Sequence, residues 1–265
     1  MRGFGESQAP ADVDDYDVID TSADLVGILD ALEEETAVLV GHDWGAIVAW
    51  QTVLMHPTRF TALISMSVPY SGRAAQSPIE RMRQAAGDNF HYIVYHNEPG
   101  GVAEAEYDAN PRGLISHVYL GIAANSETLP PKVIDPLRSA GGWIDRLGAP
   151  IRLPDWLTEN DLNYIVSQFE KAGFRGGVNY YRNFHRNWEI TEHLSDKKIS
   201  IPTLFIAGEE DFVIGGSTEE QLTASMSRVV EDLRDVVLIP DTGHWVQQEA
   251  PLATTAAMLK FLNGL

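Results

Sequence analysis

The sequence contains no cysteine, which excludes disulfide bonds, thiolate metal sites and cysteine nucleophiles together. Basic residues are few, with 19 Lys and Arg against 38 Asp and Glu and a net charge of −19. Because this charge repels polyanions, we exclude nucleic acid as a partner. No apolar run approaches the roughly 18 residues of a membrane span, and the acidic N-terminal segment does not resemble a signal peptide. We therefore expect a cytoplasmic protein without a membrane span.

Three common catalytic motifs are also missing. The eight histidines show no metal-ligand spacing such as H-E-x-x-H, and no glycine-rich phosphate loop occurs. No G-x-S-x-G occurs either, which disfavours a conventional serine esterase. The sequence therefore implies no metal and no cofactor.

Apolar runs at both ends of the chain alternate between strand and helix character. A helix that begins at Thr21 or Ser22 precedes the first strand, and Pro251 begins a closing helix. The predicted strands are 36–41, 60–69, 201–208 and 236–240. Such alternation predicts a mostly parallel sheet flanked by helices, and the short β-branched run at 36–41 predicts a strand buried on both faces.

The middle of the chain has a different character. Residues 70–199 contain no convincing buried strand and are predicted to form helices and loops. We therefore expect an α/β core from residues 1–69 and 200–265, with residues 70–199 inserted as a helical cap (lid) domain.

The stretch Gly41-His42-Asp43-Trp44-Gly45 places an acid where a strand turns sharply into a helix. In a G-x-S-x-G elbow the central side chain is exposed at the carboxyl edge of the sheet, and small flanking residues avoid collisions. A helix N-terminus favours negative charge, so Asp43 can stay ionised there. Asp43 is therefore either a nucleophile that forms an ester with its substrate or a simple cap of the helix.

Two later residues decide between these interpretations. Asp211 follows the predicted strand 201–208, and His244 follows the predicted strand 236–240. The order nucleophile, acid, histidine is that of an α/β hydrolase. Taken singly, Asp211 can be a solvated loop acid and His244 a packed aromatic residue. The order and the strand-end positions together favour a triad of Asp43, Asp211 and His244.

The chain resembles the epoxide hydrolases of the α/β-hydrolase superfamily. The resemblance covers essentially the whole chain and is carried by "RGFGES", "GHDWGA" and "DTGHWVQQEAP". It implies an α/β-hydrolase fold and a covalent ester on Asp43, which water activated by His244 and Asp211 then hydrolyses. Because "GHDWG" is shared with haloalkane dehalogenases, a dehalogenase that uses the same nucleophile is the alternative.

The resemblance also implies two cap tyrosines that donate to the epoxide oxygen. Matching the family's motifs to this sequence residue by residue identifies them as Tyr92, in "NFHYIVYHNEP", and Tyr181, in "GGVNYYRNFHRNW". Tyr95 and Tyr180 are neighbours that can be confused with them. A phenol can donate at neutral pH because its ordinary pKa is near 10.

A dehalogenase would instead require a halide-binding donor in the cap, and Trp143, Trp156 and Trp188 are available for that role.

Further site residues are expected around the nucleophile. The backbone N–H of Trp44 would form half of an oxyanion hole. Phe90, Phe184, Trp188 and Trp245 indicate an apolar pocket, so the expected substrates are an apolar or aryl epoxide and water, and the expected product is a vicinal diol.

Relative to the family, the chain is expected to lack the first strands and an HGxP loop, since no H-G-x-P occurs. The strand ending at Gly41 would then be an exposed apolar edge. Three explanations remain open at this point: a start placed at an internal methionine, an inactive remnant, or an edge filled by a partner or a second copy.

Overall fold

The computed structural model describes residues 1–265 and divides into two compact units. The sheet unit comprises Val18–Arg73, Ile122–Asn125 and Thr191–Leu265, and the helical unit comprises Met1–Asp17, Ala74–Gly121 and Ser126–Ile190. This division differs from the sequence-based boundaries at residues 70–73, 122–125 and 191–199, which group with the sheet unit, and at residues 1–17, which group with the helical unit. For residues 1–17 the physical reason is aromatic packing, because the rings of Phe4 and Tyr16 lie 6.0 and 5.5 Å from that of Tyr180.

Twelve α-helices and four β-strands, numbered along the chain, make up the regular structure. The strands are β1 (Ala37–His42), β2 (Phe60–Met66), β3 (Thr203–Gly208) and β4 (Leu233–Ile239). The helices are α1 (Val18–Ala31), α2 (Trp44–Met55), α3 (Pro78–Ala86), α4 (Tyr92–His96), α5 (Val102–Ala109), α6 (Pro111–Gly121), α7 (Glu159–Ala172), α8 (Arg175–Arg182), α9 (Phe184–Ile190), α10 (Glu219–Met226), α11 (Val246–Glu249) and α12 (Pro251–Leu262). No helix has the length and apolarity needed to cross a membrane.

The sheet is parallel throughout, with strand order β1-β2-β3-β4. The four predicted strands are all present, and the predicted parallel α/β class is confirmed. β3 is buried along its whole length, and β2 is buried at every position except Thr61. Since all strands run the same way, the loops after β1, β2, β3 and β4 emerge at one edge of the sheet. That edge carries the candidate site.

β1 lies at the border of the sheet and is only partly covered by other residues. The prediction that it is buried on both faces is therefore wrong. Val40 is 47% exposed, and most of the strand is only half-buried. The prediction of an exposed apolar edge is confirmed.

The first helix begins earlier than its sequence indicates. α1 starts at Val18, and Thr21 and Ser22 are buried inside the helix, not at its N-cap. The Ser22 hydroxyl instead hydrogen-bonds to that of Thr52 on α2, at 2.9 Å. A polar pair that joins two packed helices therefore replaces the predicted cap.

The helical unit contains α3 to α9, and no strand of the sheet lies in it. Its main apolar cluster includes Tyr107, Leu162 and Val178, contributed by α5, α7 and α8. A second cluster joins Ile79, Ile93 and Val94, with Tyr92 and Tyr181 packed against it. The helical character predicted for the middle of the chain is thus what the structure shows.

Candidate active site

The turn between β1 and α2 holds Asp43 in a conformation that few residues adopt. Its backbone has φ 52° and ψ −117°, a strained geometry that costs about 1–3 kcal/mol. A Cβ on Gly41 would collide with the carbonyl oxygen of Gly45, so only glycine fits there. The expectation for Gly45 itself is wrong, because a Cβ at that position would meet no atom outside its own helix within 4 Å.

The carboxyl group of Asp43 does not cap α2, since no side-chain cap hydrogen bond is formed. Its Oδ2 lies 3.3 Å from Nε2 of His244 instead. The side chain is 36% exposed, so the carboxylate is both paired and reachable. The simple capping interpretation is therefore wrong.

His244 lies between two carboxylates. Its Nδ1 lies 3.0 and 3.1 Å from the two carboxyl oxygens of Asp211, to which the Nδ1–H donates. Asp211 is 1% exposed and also accepts from the N–H of Val213 at 2.9 Å, so it is not a solvated loop acid. His244 does pack against Trp245, at 5.0 Å, but both of its ring nitrogens face carboxylates. The structure thus brings Asp43, Asp211 and His244 together in the geometry of a nucleophile, a base and an orienting acid.

The charges of these groups support one another. Burial alone lowers the pKa of His244, but the hydrogen bonds and charges of Asp211 and Asp43 outweigh it and raise that pKa to about 9. Burial alone raises the pKa of Asp43, but the hydrogen bond and charge of His244, with His42 and the Trp44 N–H, hold it below its usual value. At neutral pH the two groups form an ion pair.

The sequence did not identify two of the residues that surround His244, Ser67 and Phe212. The backbone carbonyl of His244 accepts from Nε2 of His42 at 2.8 Å and from the Ser67 hydroxyl at 2.9 Å. Phe212 contacts its ring at a centroid distance of 5.4 Å. Ser67 directly follows β2, and Phe212 lies in the loop after β3, so their strand-end positions were the signal that could have identified them.

In the helical unit the two predicted phenols are neighbours. Tyr92 begins α4 and Tyr181 lies on α8, and their rings are 5.9 Å apart in an edge-to-face arrangement. His96 packs on both, at 4.3 Å from Tyr181 and 5.7 Å from Tyr92, and Trp143 stacks on Tyr92 at 4.9 Å. Neither His96 nor the stacking of Trp143 was foreseen.

The neighbouring tyrosines have other hydrogen-bond partners. The Tyr95 hydroxyl donates to Glu106 at 2.8 Å, and the Tyr180 hydroxyl donates to the backbone carbonyl of Arg2 at 3.1 Å. Tyr180 is also almost completely buried. Both hydroxyls are thus engaged within the helical unit.

The predicted pocket aromatics divide between the two units. Trp44 and Trp245 belong to the sheet unit, and Trp245 packs on His42 and His244. In the helical unit Phe90 packs on Tyr95 and under the Arg146 guanidinium, which lies 4.4 Å from its ring. Trp188 donates its indole N–H to the Ala74 carbonyl at 2.8 Å, so this proposed halide donor is already engaged. No group of three or more His, Asp or Glu side chains is placed to hold a metal ion.

Comparison with known proteins agrees with this geometry. A family model described as the α/β hydrolase fold matches residues 1–91. Epoxide hydrolase A of Mycobacterium tuberculosis is 41% identical over 266 aligned residues, which cover 100% of this chain and 80% of that protein. The chain belongs to the epoxide hydrolase family of the α/β-hydrolase superfamily.

Solved structures support the same family assignment. The crystal structure of epoxide hydrolase A from Mycobacterium thermoresistibile has a TM-score of 0.90 at 42% identity, covering 100% of this chain and 81% of that one. Epoxide hydrolase VrEH1 from Vigna radiata has a TM-score of 0.86 at 32% identity, with 100% and 81% covered. The expected α/β-hydrolase fold is thereby confirmed for this epoxide hydrolase family member.

Proposed function

We propose that this chain hydrolyses an apolar or aryl epoxide to a vicinal diol through an ester on Asp43. The observation that carries the proposal is the pairing of an uncapped, partly exposed Asp43 carboxylate with Nε2 of His244 at 3.3 Å. The 41% identical relative named as an epoxide hydrolase supports the choice of substrate class. Water is the second substrate.

In the first step Asp43 is the nucleophile. One carboxyl oxygen attacks an epoxide carbon, a new C–O bond forms, and the ring C–O bond breaks. Tyr92 and Tyr181 both donate hydrogen bonds to the ring oxygen, which takes a proton from one of these two phenols. The engagement of Tyr95 and Tyr180 in other hydrogen bonds supports this assignment. The product of the step is a hydroxyalkyl ester on Asp43.

In the second step His244 is the general base. Its raised pKa makes it an imidazolium while Asp43 is ionised, and an imidazolium cannot accept a proton. Formation of the ester removes the Asp43 charge, so the pKa of His244 falls. The imidazolium then gives its proton, through solvent, to the phenolate that the first step leaves, and the neutral ring is a base only when an ester is present. Asp211 keeps the ring oriented throughout.

The deprotonated water attacks the ester carbonyl carbon of Asp43. Negative charge then develops on a carboxyl oxygen of the same residue, and the Trp44 N–H, which already faces that carboxylate, stabilises it. The acyl C–O bond breaks, and the diol oxygen takes the proton held by His244. The Asp43 carboxylic acid released in this way then gives its proton to His244, which restores the ion pair. Trp245, which packs on His244, is proposed to line the apolar side of the substrate site, and the roles of Phe90 and Trp188 stay predictions.

Single turnover in ¹⁸O-labelled water tests this route. With enzyme in excess over a styrene-type epoxide, the ester route puts the label into the Asp43 carboxylate and leaves the first diol unlabelled. Direct attack of water on the epoxide would label the diol and leave the peptide that contains Asp43 unlabelled. Mass spectrometry of the diol and of that peptide distinguishes the two routes. A cytoplasmic location and the oligomeric state stay predictions.

A further inference from the structure

The carboxylate of Glu249 binds the backbone on both sides of His244. Glu249 is the last residue of α11, and its Oε2 accepts from the N–H of Gly243 at 2.9 Å. Its Oε1 accepts from the N–H of Trp245, also at 2.9 Å. A third N–H, that of Ala124, donates to Oε2 at 2.8 Å. One side chain therefore holds three N–H groups around the histidine.

These N–H groups lie in loops that offer them no strand or helix partner. The backbone from Thr242 to Trp245 links β4 to α11 without regular structure. A buried N–H without an acceptor costs roughly the free energy of a lost hydrogen bond. A carboxylate is a stronger acceptor than a carbonyl, and it serves several donors at once. Glu249 thus supplies the hydrogen-bond acceptors that these backbone N–H groups lack within their own loops.

The N–H and the carbonyl of His244 itself are also hydrogen-bonded. The N–H of His244 donates to the Ile122 carbonyl at 3.3 Å, and its own carbonyl accepts from His42 and Ser67. A Cβ on Gly243 would lie 2.5 Å from the Ala124 nitrogen, so the loop fits tightly against residues 122–125. Residues 122–125 were predicted within the cap, yet they belong to the sheet unit through these contacts.

We propose that Glu249 is a positioning residue for ester hydrolysis, because its carboxylate fixes the backbone on both sides of His244 and so sets the imidazole against the Asp43 ester. The inference rests on the proposed function for the ester step. The titratable groups that face the ring itself are Asp43, Asp211 and His42. Glu249 contacts only backbone, so it acts through position.

The two chemical steps depend on this placement to different degrees. Ester formation needs the Asp43 carboxylate and a phenol, whereas ester hydrolysis needs Nε2 of His244 within reach of a water and the ester carbonyl. A displacement of about 1 Å in a reacting group can lower a rate on the order of 10²-fold. Loosening the loop therefore slows the second step selectively, and the ester accumulates.

The variant Glu249→Gln tests the proposal. An amide keeps one acceptor oxygen and turns an NH₂ toward at least one of the three N–H donors. Glu219→Gln is the matched control, because Glu219 also accepts from a backbone N–H, that of Leu238 at 2.9 Å, but Leu238 lies within β4 and outside the Thr242–Trp245 loop that Glu249 holds. Acid-quenched mass spectrometry of single turnovers measures the ester on Asp43 and its decay.

We expect Glu249→Gln to form the ester at nearly the parent rate and to hydrolyse it on the order of 10²-fold more slowly. Glu219→Gln should behave as the parent does. An unchanged ester occupancy and decay in Glu249→Gln would overturn the positioning role. If Glu249→Gln does not fold, Glu249→Asp keeps the charge but withdraws it by one methylene, and it should show the same accumulation to a smaller extent.

A readout without turnover separates this inference from the proposed function. In ¹⁵N-histidine NMR, His244 is identified by its loss in His244→Gln, and its titration and low-field Nδ1 proton report its contact with Asp211. Glu249→Gln should lower the pKa of His244 and broaden that proton, while Glu219→Gln should leave both unchanged. An unaltered His244 signal would overturn the inference whatever the activity. A parent enzyme that never forms an adduct on Asp43 would contradict the proposed function and leave the NMR result to judge Glu249.

Discussion

His244 in the sheet unit and His96 in the helical unit are about equally buried, with exposures of 2% and 3%. Their pKa values nevertheless move in opposite directions. Burial lowers the pKa of His96 to about 3, and the charge of Arg182 adds to that effect. At His244 two carboxylates outweigh burial and raise the pKa to about 9. At neutral pH His96 is therefore neutral and His244 carries a proton.

The difference follows from what surrounds each ring. His96 is hydrogen-bonded to the Tyr107 hydroxyl at 2.8 Å and packs among aromatic rings, so it shapes the surroundings of the two phenols without charge. His244 is held by ionised partners whose charges change during the proposed reaction. Equal burial therefore produces a rigid packing element in one unit and a group able to move protons in the other.

The largest expected effect concerns Asp43, the charged partner of His244. Asp43→Ala should lower diol formation by at least about 10⁴-fold, because the nucleophile is lost. Asp241→Ala is a matched control, since Asp241 also has φ 52° but lies exposed in the loop after β4. Initial rates with a styrene-type epoxide measure both variants. Parent-like turnover by Asp43→Ala would contradict the ester mechanism.

The two units also differ in how many of their site contacts can be predicted from the sequence. In the sheet unit, parallel strands bring their carboxyl ends to one edge, so the chain order of Asp43, Asp211 and His244 was enough to predict that they meet. Backbone contacts were not predictable in this way, because nothing in the local pattern marks the side chain of Glu249 as the acceptor for Gly243 and Trp245.

In the helical unit no strand register fixes neighbours. The pairing of Tyr92 with Tyr181 came only from the family resemblance, and the ring of His96 against both came only from the structure. The early start of α1 was missed because Ser22, a residue typical of N-caps, bonds to another helix instead. Long-range side-chain partners are what the sequence pattern leaves unspecified.

The second prediction concerns the two phenols that pack on the neutral His96. Tyr92→Phe and Tyr181→Phe should each slow ester formation about 10²-fold, because each removes a proton donor for the ring oxygen. Tyr95→Phe and Tyr180→Phe remove hydroxyls that are bonded to Glu106 and to the Arg2 carbonyl, so they should change the rate little. Pre-steady-state quench measurements on the four variants decide the assignment. A larger loss in Tyr95→Phe than in Tyr92→Phe would reverse it.

The smallest expected effect is on stability, and its sign differs between the two histidines. The folded-state pKa of His244, about 9, exceeds the ordinary value of 6.5, so its stabilisation is complete below pH 6.5 and is lost as pH rises to about 9. The upper limit of this loss is about 3 kcal/mol. The folded-state pKa of His96, about 3, lies below 6.5, so its burial destabilises the fold as pH falls from 6.5 toward 3.

Two variants separate these contributions in urea unfolding measured across the pH range. Asp43→Asn removes one of the charges that raise the pKa of His244, so it should flatten the decline in the free energy of unfolding between pH 6.5 and 9, and Asp241→Asn should leave that decline unchanged. His96→Gln should flatten part of the decline on the acid side and leave the alkaline side as in the parent. If Asp43→Asn altered only the acid side, His244 would not be the protonated partner of Asp43. The raised pKa of His244 would then rest on Asp211 alone, because burial drives the pKa values of both histidines downward.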